Sequence, residues 1–233
     1  MEQFCHLDLF GIQVKYRPDW RIIPDQAYNL NYESGLFRFE ENIAEKRSRV
    51  SMGVRWECSQ TDSETFLREF REGIHKEYQK ALKGKGRQFQ LLRDEIIDRP
   101  DGSKLCLVET KYRATQALVP DPKKMQRIQV CNAAYYCEKS HRMIICSVVT
   151  TPEYMEENRA LLEELMTSVQ SRSVYSTEEE SARMDKRAKA RAEAARRNQG
   201  PMAALGQRLK DRSARRAAAN TAQSGQSDSS AQQ

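Results

Sequence analysis

The stretch RVSMGVRWEC, residues 49–58, places Val50, Met52, Val54, Trp56 and Cys58 in one phase and Ser51, Gly53, Arg55 and Glu57 in the other. Successive side chains of a strand point to opposite faces, whereas a helix returns to one face every third or fourth residue. The pattern therefore specifies a strand with one dry and one wet face. Such a strand needs neighbours to pair with and a layer to cover its apolar side.

The same period opens the chain. In LDLFGIQVKY, Phe10, Ile12, Val14 and Tyr16 alternate with Leu9, Gly11, Gln13 and Lys15, which reads as one strand. RPDW turns the chain, a short strand runs on to Pro24, and AYNLNY and GLFRF read as two more strands separated by Glu33-Ser34-Gly35. TDSETFLREFREGIHKEYQKAL then changes period, with Phe66, Phe70, Ile74, Tyr78 and Leu82 at every fourth residue and Thr61 and Glu64 at capping-box spacing. An amphipathic helix laid on a sheet is expected here. KGKGR follows, where Gly84 reads as the helix C-cap.

Strands return as two hairpins: QFQLLRDEII with KLCLVETKYRA around RPDGS, and RIQVCNAAYYC with RMIICSVVTT around EKSH. Gly102 is expected to supply positive φ in the first turn. TPEYMEENRALLEELMTSVQS closes the pattern as a helix with the stripe Tyr154, Leu161, Leu162, Leu165, Met166 and Val169. The order predicts an α+β fold, a mostly antiparallel sheet with packed helices, followed by a helical and disordered C-terminal tail.

An opening strand that ends in Tyr16, Pro18, Asp19 and Trp20, short strands, a strand before a capped helix, two long hairpins and a closing helix together resemble the PsbP/Mog-like superfamily over about residues 7–170. The resemblance implies a three-layer α/β/α sandwich. It also implies the company of binding proteins more than enzymes: photosystem extrinsic subunits, a Ran-binding nuclear transport factor and bacterial effector chaperones. No motif carries a particular partner or binding residue over to this chain.

The residues themselves offer little chemistry. Cys131, Cys137, His141 and Cys146 are four zinc-ligand types in close sequence. A four-residue EKSH turn, however, sets Cys137 opposite Arg142, Ala133 opposite Cys146 and Cys131 opposite Val148, so that Cys131 and Cys137 are about 20 Å apart at strand rise. No metal is expected, and the cysteines read as small buried hydrophobes and free thiols. His6, His75 and His141 belong to no acid–base motif, with His75 flanking the buried face of its helix, and neither a nucleophile elbow nor a phosphate loop is present. No catalytic residue and no cofactor are expected.

Charge marks the organisation. Residues 1–172 hold 27 Lys and Arg against 26 Asp and Glu, net +1, while residues 173–233 hold 12 against 7, net +5. The expected division is a globular domain at 1–172, a basic Ala/Arg-rich helical extension at 173–220 broken at Gly200-Pro201, and a disordered end at 221–233. Electrostatic contacts are expected from Arg183, Lys186, Arg187, Lys189, Arg191, Arg196, Arg197, Arg208, Lys210, Arg212, Arg215 and Arg216. Met202, Leu205 and Leu209 form a thin docking stripe on a second helix that begins at Pro201. No aromatic residue follows Tyr175, so the tail offers no base stacking and any nucleic-acid contact would tolerate sequence.

No apolar run reaches the length of a membrane span, and the opening lacks the cationic start of a signal peptide. The expectation is a cytoplasmic, non-enzymatic binding or adaptor protein. Its domain would recognise a protein partner, and its tail would attach to nucleic acid, ribonucleoprotein or an acidic protein. Two alternatives stand beside it: an effector or cargo chaperone with an apolar groove on the domain, and a small hydrolase or transferase with a loop-built site.

Overall fold

A computed structural model describes residues 3–25, 29–41, 48–83, 89–114 and 126–198. The chain divides into two units, Met1–Thr177 and Glu178–Gln233.

In the first unit the alternating stretches form β1 (Cys5–Leu9), β2 (Ile12–Tyr16), β3 (Trp20–Pro24), β4 (Ser34–Glu41) and β5 (Val50–Cys58). Helix α1 (Ser63–Lys83) follows, then β6 (Phe89–Asp98), β7 (Lys104–Ala114), β8 (Gln126–Cys137) and β9 (Arg142–Thr150), α2 (Pro152–Thr167) and the short β10 (Gln170–Ser171). Seven strands form one antiparallel sheet in the order β3-β4-β5-β9-β8-β7-β6, and a small sheet has the order β1-β2-β10. The α+β reading holds.

One face of the large sheet carries the main core. Trp20, Phe37, Phe39, Met52, Val54, Trp56, Leu107, Ile144 and Val148 pack there with Ile12 and Val14 of β2 and Tyr154, Met155, Leu162 and Leu165 of α2. The opposite face packs Cys106, Val108, Ala134 and Tyr136 against Phe66, Leu67, Phe70 and Ile74 of α1. The sheet is thus sandwiched between layers.

Several expectations on the early strands and the first cap change. LDLFGIQVKY is a hairpin, because Phe10 and Gly11 hold φ of 54° and 75° and reverse the chain in two residues. Pairing of Leu7 with Val14 and Leu9 with Ile12 then brings the apolar residues of both arms to one side. The described part of AYNLNY, Asn29–Tyr32, is not a strand: the Asn31 side-chain oxygen accepts from the amides of Glu33 and Ser34 and turns the chain. The cap of α1 is Asp62, one residue beyond Thr61, whose carboxylate accepts from the Thr65 amide at 2.7 Å. Gly84 lies outside the described residues.

The later elements follow expectation except at the end of the closing helix, which stops at Thr167 with Ser168 as its cap, so that Val169 lies beyond it and Gln170–Ser171 pair with β2 as a strand. Gly102 has φ of 81° between β6 and β7, and the β8–β9 register pairs Cys137 with Arg142, Ala133 with Cys146 and Cys131 with Val148. Thr151 caps α2, which is bent at Asn158 (φ −118°, ψ 16°), where the side-chain amide donates to the Tyr154 carbonyl.

The edges of the large sheet are blunted. Asp25 donates to the Leu36 carbonyl, so by antiparallel alternation Ile23 and Arg21 bond β4 while Trp20, Ile22 and Pro24 turn their backbone outward. Pro24 therefore stands where its missing N–H costs no ladder bond. At the other edge β6 carries a register shift between Leu91 and Arg93.

Candidate functional site

Among the described residues of Met1–Thr177, the face shared with α1 is only partly covered. Helix α1 packs on β6, β7 and β8 and reaches Met143 and Ile145 of β9. On β3, β4, β5 and the far end of β9 this face carries Arg21, Ile23, Leu36, Arg38, Glu40, Ser51, Gly53, Arg55, Glu57, Ser147 and Val149, all of them half-buried or exposed. Arg21 pairs with Glu40 at 3.1 Å and Arg55 with Glu57 at 3.0 Å; Arg38 lies 3.9 Å from Asp25. Between them Gly53 leaves a shallow floor, where an added Cβ would stand 3.8 Å from Arg38 and Leu36 side-chain carbons. Ser147 beside it donates to the Asn132 side chain at 2.6 Å. Apolar strips and arginine–carboxylate pairs alternate across this open half.

Polar groups also occupy core-facing positions, each near the end of an apolar strand face. Glu41 lies in phase with Phe37 and Phe39; it accepts from Tyr154 at 2.7 Å and from Arg49 at 3.0 and 3.2 Å. Glu109, in phase with Leu105 and Leu107, receives both Arg159 terminal nitrogens at 2.9 and 3.0 Å and the Gln129 amide. Burial alone would raise the Glu109 carboxyl, but the Arg159 and Gln129 hydrogen bonds outweigh it and hold it below the usual range. Arg142, in phase with Ile144 and Cys146, is fully buried. Sequence reasoning did not single out these groups; a charged residue in phase with an apolar strand face was the signal that could have found them.

On the α1 side, Asp94 receives Arg71 at 2.7 and 2.9 Å and lies 2.7 Å from His75 Nε2, so His75 ties its helix to β6. The Arg71 hydrogen bonds outweigh partial burial and hold the Asp94 carboxyl below its ordinary value. All six cysteines are free thiols. Burial pushes the Cys131 thiol up to about 12 and the Cys106 thiol up to about 11, and raises Cys146 as well. These thiols are poor nucleophiles. Among the described residues no group of three or more His, Cys, Asp or Glu is placed to hold a metal, and no helix is long and apolar enough to cross a membrane.

Helix α3 (Thr177–Asn198) contains Arg183, Lys186, Arg187, Lys189, Arg191, Arg196 and Arg197 of the expected electrostatic set. Glu178, Glu179 and Glu180 sit in its first turn, where they complement the helix dipole. Lys186, Lys189 and Arg191 are exposed, whereas Arg183 and Arg187 are half-buried. Arg208, Lys210, Arg212, Arg215 and Arg216, the stripe of Met202, Leu205 and Leu209, the break at Gly200-Pro201 and the end at 221–233 lie outside the described residues.

No protein-family model matches the sequence, and no curated protein matches it either. Among solved structures, the chain is similar to cyanobacterial PsbP (CyanoP) from Synechocystis at 13% identity and a TM-score of 0.49, over 74% of this chain and 94% of that one. It is also similar to the Ran-binding protein Mog1p of Saccharomyces cerevisiae, at 10% identity and a TM-score of 0.45, over 73% of this chain and 96% of that one. The resemblance expected from element order and the YRPDW turn meets structures of these same two kinds, and it is a likeness of fold.

Proposed function

We propose that this is a cytoplasmic, non-catalytic binding or adaptor protein. Its domain at 1–172 recognises a protein partner through the open half of the sheet, and its basic extension at 173–220 adds electrostatic attachment. The observation that carries this reading is the incomplete cover over β3, β4, β5 and β9 among the described residues of Met1–Thr177. A face that mixes Ile23, Leu36 and Val149 with Arg21, Arg38 and Arg55 has the composition of protein interfaces, where apolar contacts and arginines recur together. The tail has no aromatic residue after Tyr175, so its attachment works through charge and is blind to base sequence.

The tail is tested by titrating the full chain and its Lys186→Ser/Lys189→Ser/Arg191→Ser variant with mixed-sequence RNA and duplex DNA over a salt series. Attachment to nucleic acid predicts log K falling with log salt, with a slope shallower by about 2–3 in the variant. The absence of binding by either protein moves the tail's partner to an acidic protein. The domain is tested by capture from cell extract with wild type and Val149→Asp: a partner lost with Val149→Asp while folding is unchanged supports the open face, and retention of every partner sinks it.

A further inference from the structure

Arg142 opens β9 with its side chain fully buried, in the place where the strand's phase calls for an apolar group. Its Nη1 donates to the Phe10 carbonyl at 2.8 Å, and its guanidinium lies 3.4 Å from the centroid of the Tyr32 ring. Nε and Nη2 meet no acceptor among the described residues. A guanidinium taken out of water with neither counter-charge nor a full set of acceptors among the described residues is costly. The two orphaned nitrogens are not scattered donors. Nε–H and the neighbouring Nη2–H lie parallel along one side of the guanidinium plane, the edge that grips two oxygens of a carboxylate or phosphate at once.

The backbone is strained at the same corner. Phe10 and His141 are the non-glycine residues at positive φ among those described, at 54° and 47°. Phe10 supplies the acceptor of Arg142, and His141 directly precedes it. Left-handed backbone at bulky residues persists only where the surroundings impose it.

The segment 170–175 borders this corner. Ser171 Oγ lies 2.8 Å from Ser140 Oγ, the Arg172 amide donates to the Gly11 carbonyl at 2.7 Å, and Tyr32 donates to Ser173 Oγ at 3.2 Å. Val174 beside them is exposed. The Cys137 thiol also donates to the Ser171 carbonyl at 3.4 Å, and Tyr175 meets the Tyr32 ring edge-on at 4.7 Å, so opening the segment means giving up these contacts together with the two-residue strand.

We propose that the Arg142 corner binds a compact oxyanion, the carboxylate or phosphate of a small ligand, held side-on by Nε and Nη2 and admitted when the Gln170–Tyr175 segment lifts. The probes are sodium phosphate and sodium acetate, each titrated into the full chain against sodium chloride at equal ionic strength, with thermal unfolding as the readout. A saturating rise of roughly 5 °C in the midpoint is expected with one of them. Arg142→Lys keeps the charge but lacks the two-donor edge, and it should abolish the rise. A response to phosphate alone assigns a phosphate ligand, and one to acetate a carboxylate. An absent rise with both, or an equal rise in wild type and Arg142→Lys as the basic tail alone would give, overturns the proposal. Should Arg142→Lys fail to fold, the side-chain Nε–Hε resonance of Arg142 in the unaltered protein decides: movement that saturates with either anion supports the site, and a resonance unmoved by both overturns it.

Discussion

The two faces of the seven-stranded sheet are built from the same strands and the same period, yet they differ in what the alternate residues do. On one face, Trp56, Phe37, Met52 and Val54 are closed over by α2 and the β1–β2 hairpin. On the other, Arg55, Leu36, Gly53 and Ser51, their neighbours in sequence or across the ladder, have no helix above them among the described residues of Met1–Thr177. The first face is fixed by volume, since close-packed interiors register the loss of even one methylene. The second is held by pairs of charges in water, which contribute little to stability. The contrast separates the residues that make the fold from those free to serve recognition.

Two glycines sharpen the contrast most. Gly35 pairs with Trp56 on the dry face, where an added Cβ would stand 2.1 Å from the indole, while at Gly53 on the wet face it would meet nothing closer than 3.8 Å. Removing the ring itself, Trp56→Ala, is expected to cost about 4 kcal/mol in urea unfolding followed by circular dichroism, and Gly35→Ala about 3 kcal/mol by overpacking. A cost below 1 kcal/mol for either would break the division. Glu109→Ala comes next, at about 2–3 kcal/mol, because it strips Arg159 and Gln129 of a buried acceptor.

Acid should act in the same direction. Asp94 and Glu109 have folded-state pKa values below their unfolded ones, near 4. Their contribution is therefore complete above that range and fades as pH falls through it toward the folded values. Unfolding free energy measured from pH 7 to pH 2 should decline, and Asp94→Asn with Glu109→Gln should flatten the decline. Asp62→Ala should cost about 1 kcal/mol through loss of the α1 cap, read by the same urea titration. Gly53→Ala should change stability by no more than about 0.5 kcal/mol, so any loss of partner capture by that variant belongs to the surface.

Most of the sheet was legible because its turns announce themselves. EKSH and RPDGS sit between runs of clean alternation, and the register of β8 against β9 follows from turn length alone. The β1–β2 turn was hidden because Phe10 continues the phase of Ile12, Val14 and Tyr16, so that the change of phase from Leu7 and Leu9 passes for an exception within one strand, and a phenylalanine at positive φ is a rare choice. Thr61 gave way to Asp62 at the cap because a carboxylate one residue on reaches the same free amides. The open face could not be read at all, since α1's apolar stripe says that it covers a sheet and not which strands. The buried arginine was missed for the opposite reason. Its phase was plain, but a charge at a strand end reads by default as a solvated terminus.

The proline at the outer position of β3 and the shifted register of β6 have a consequence for the life of the protein at high concentration. A sheet whose two margins refuse an added strand cannot template its own growth, so copies that collide edge to edge separate again instead of seeding a fibre.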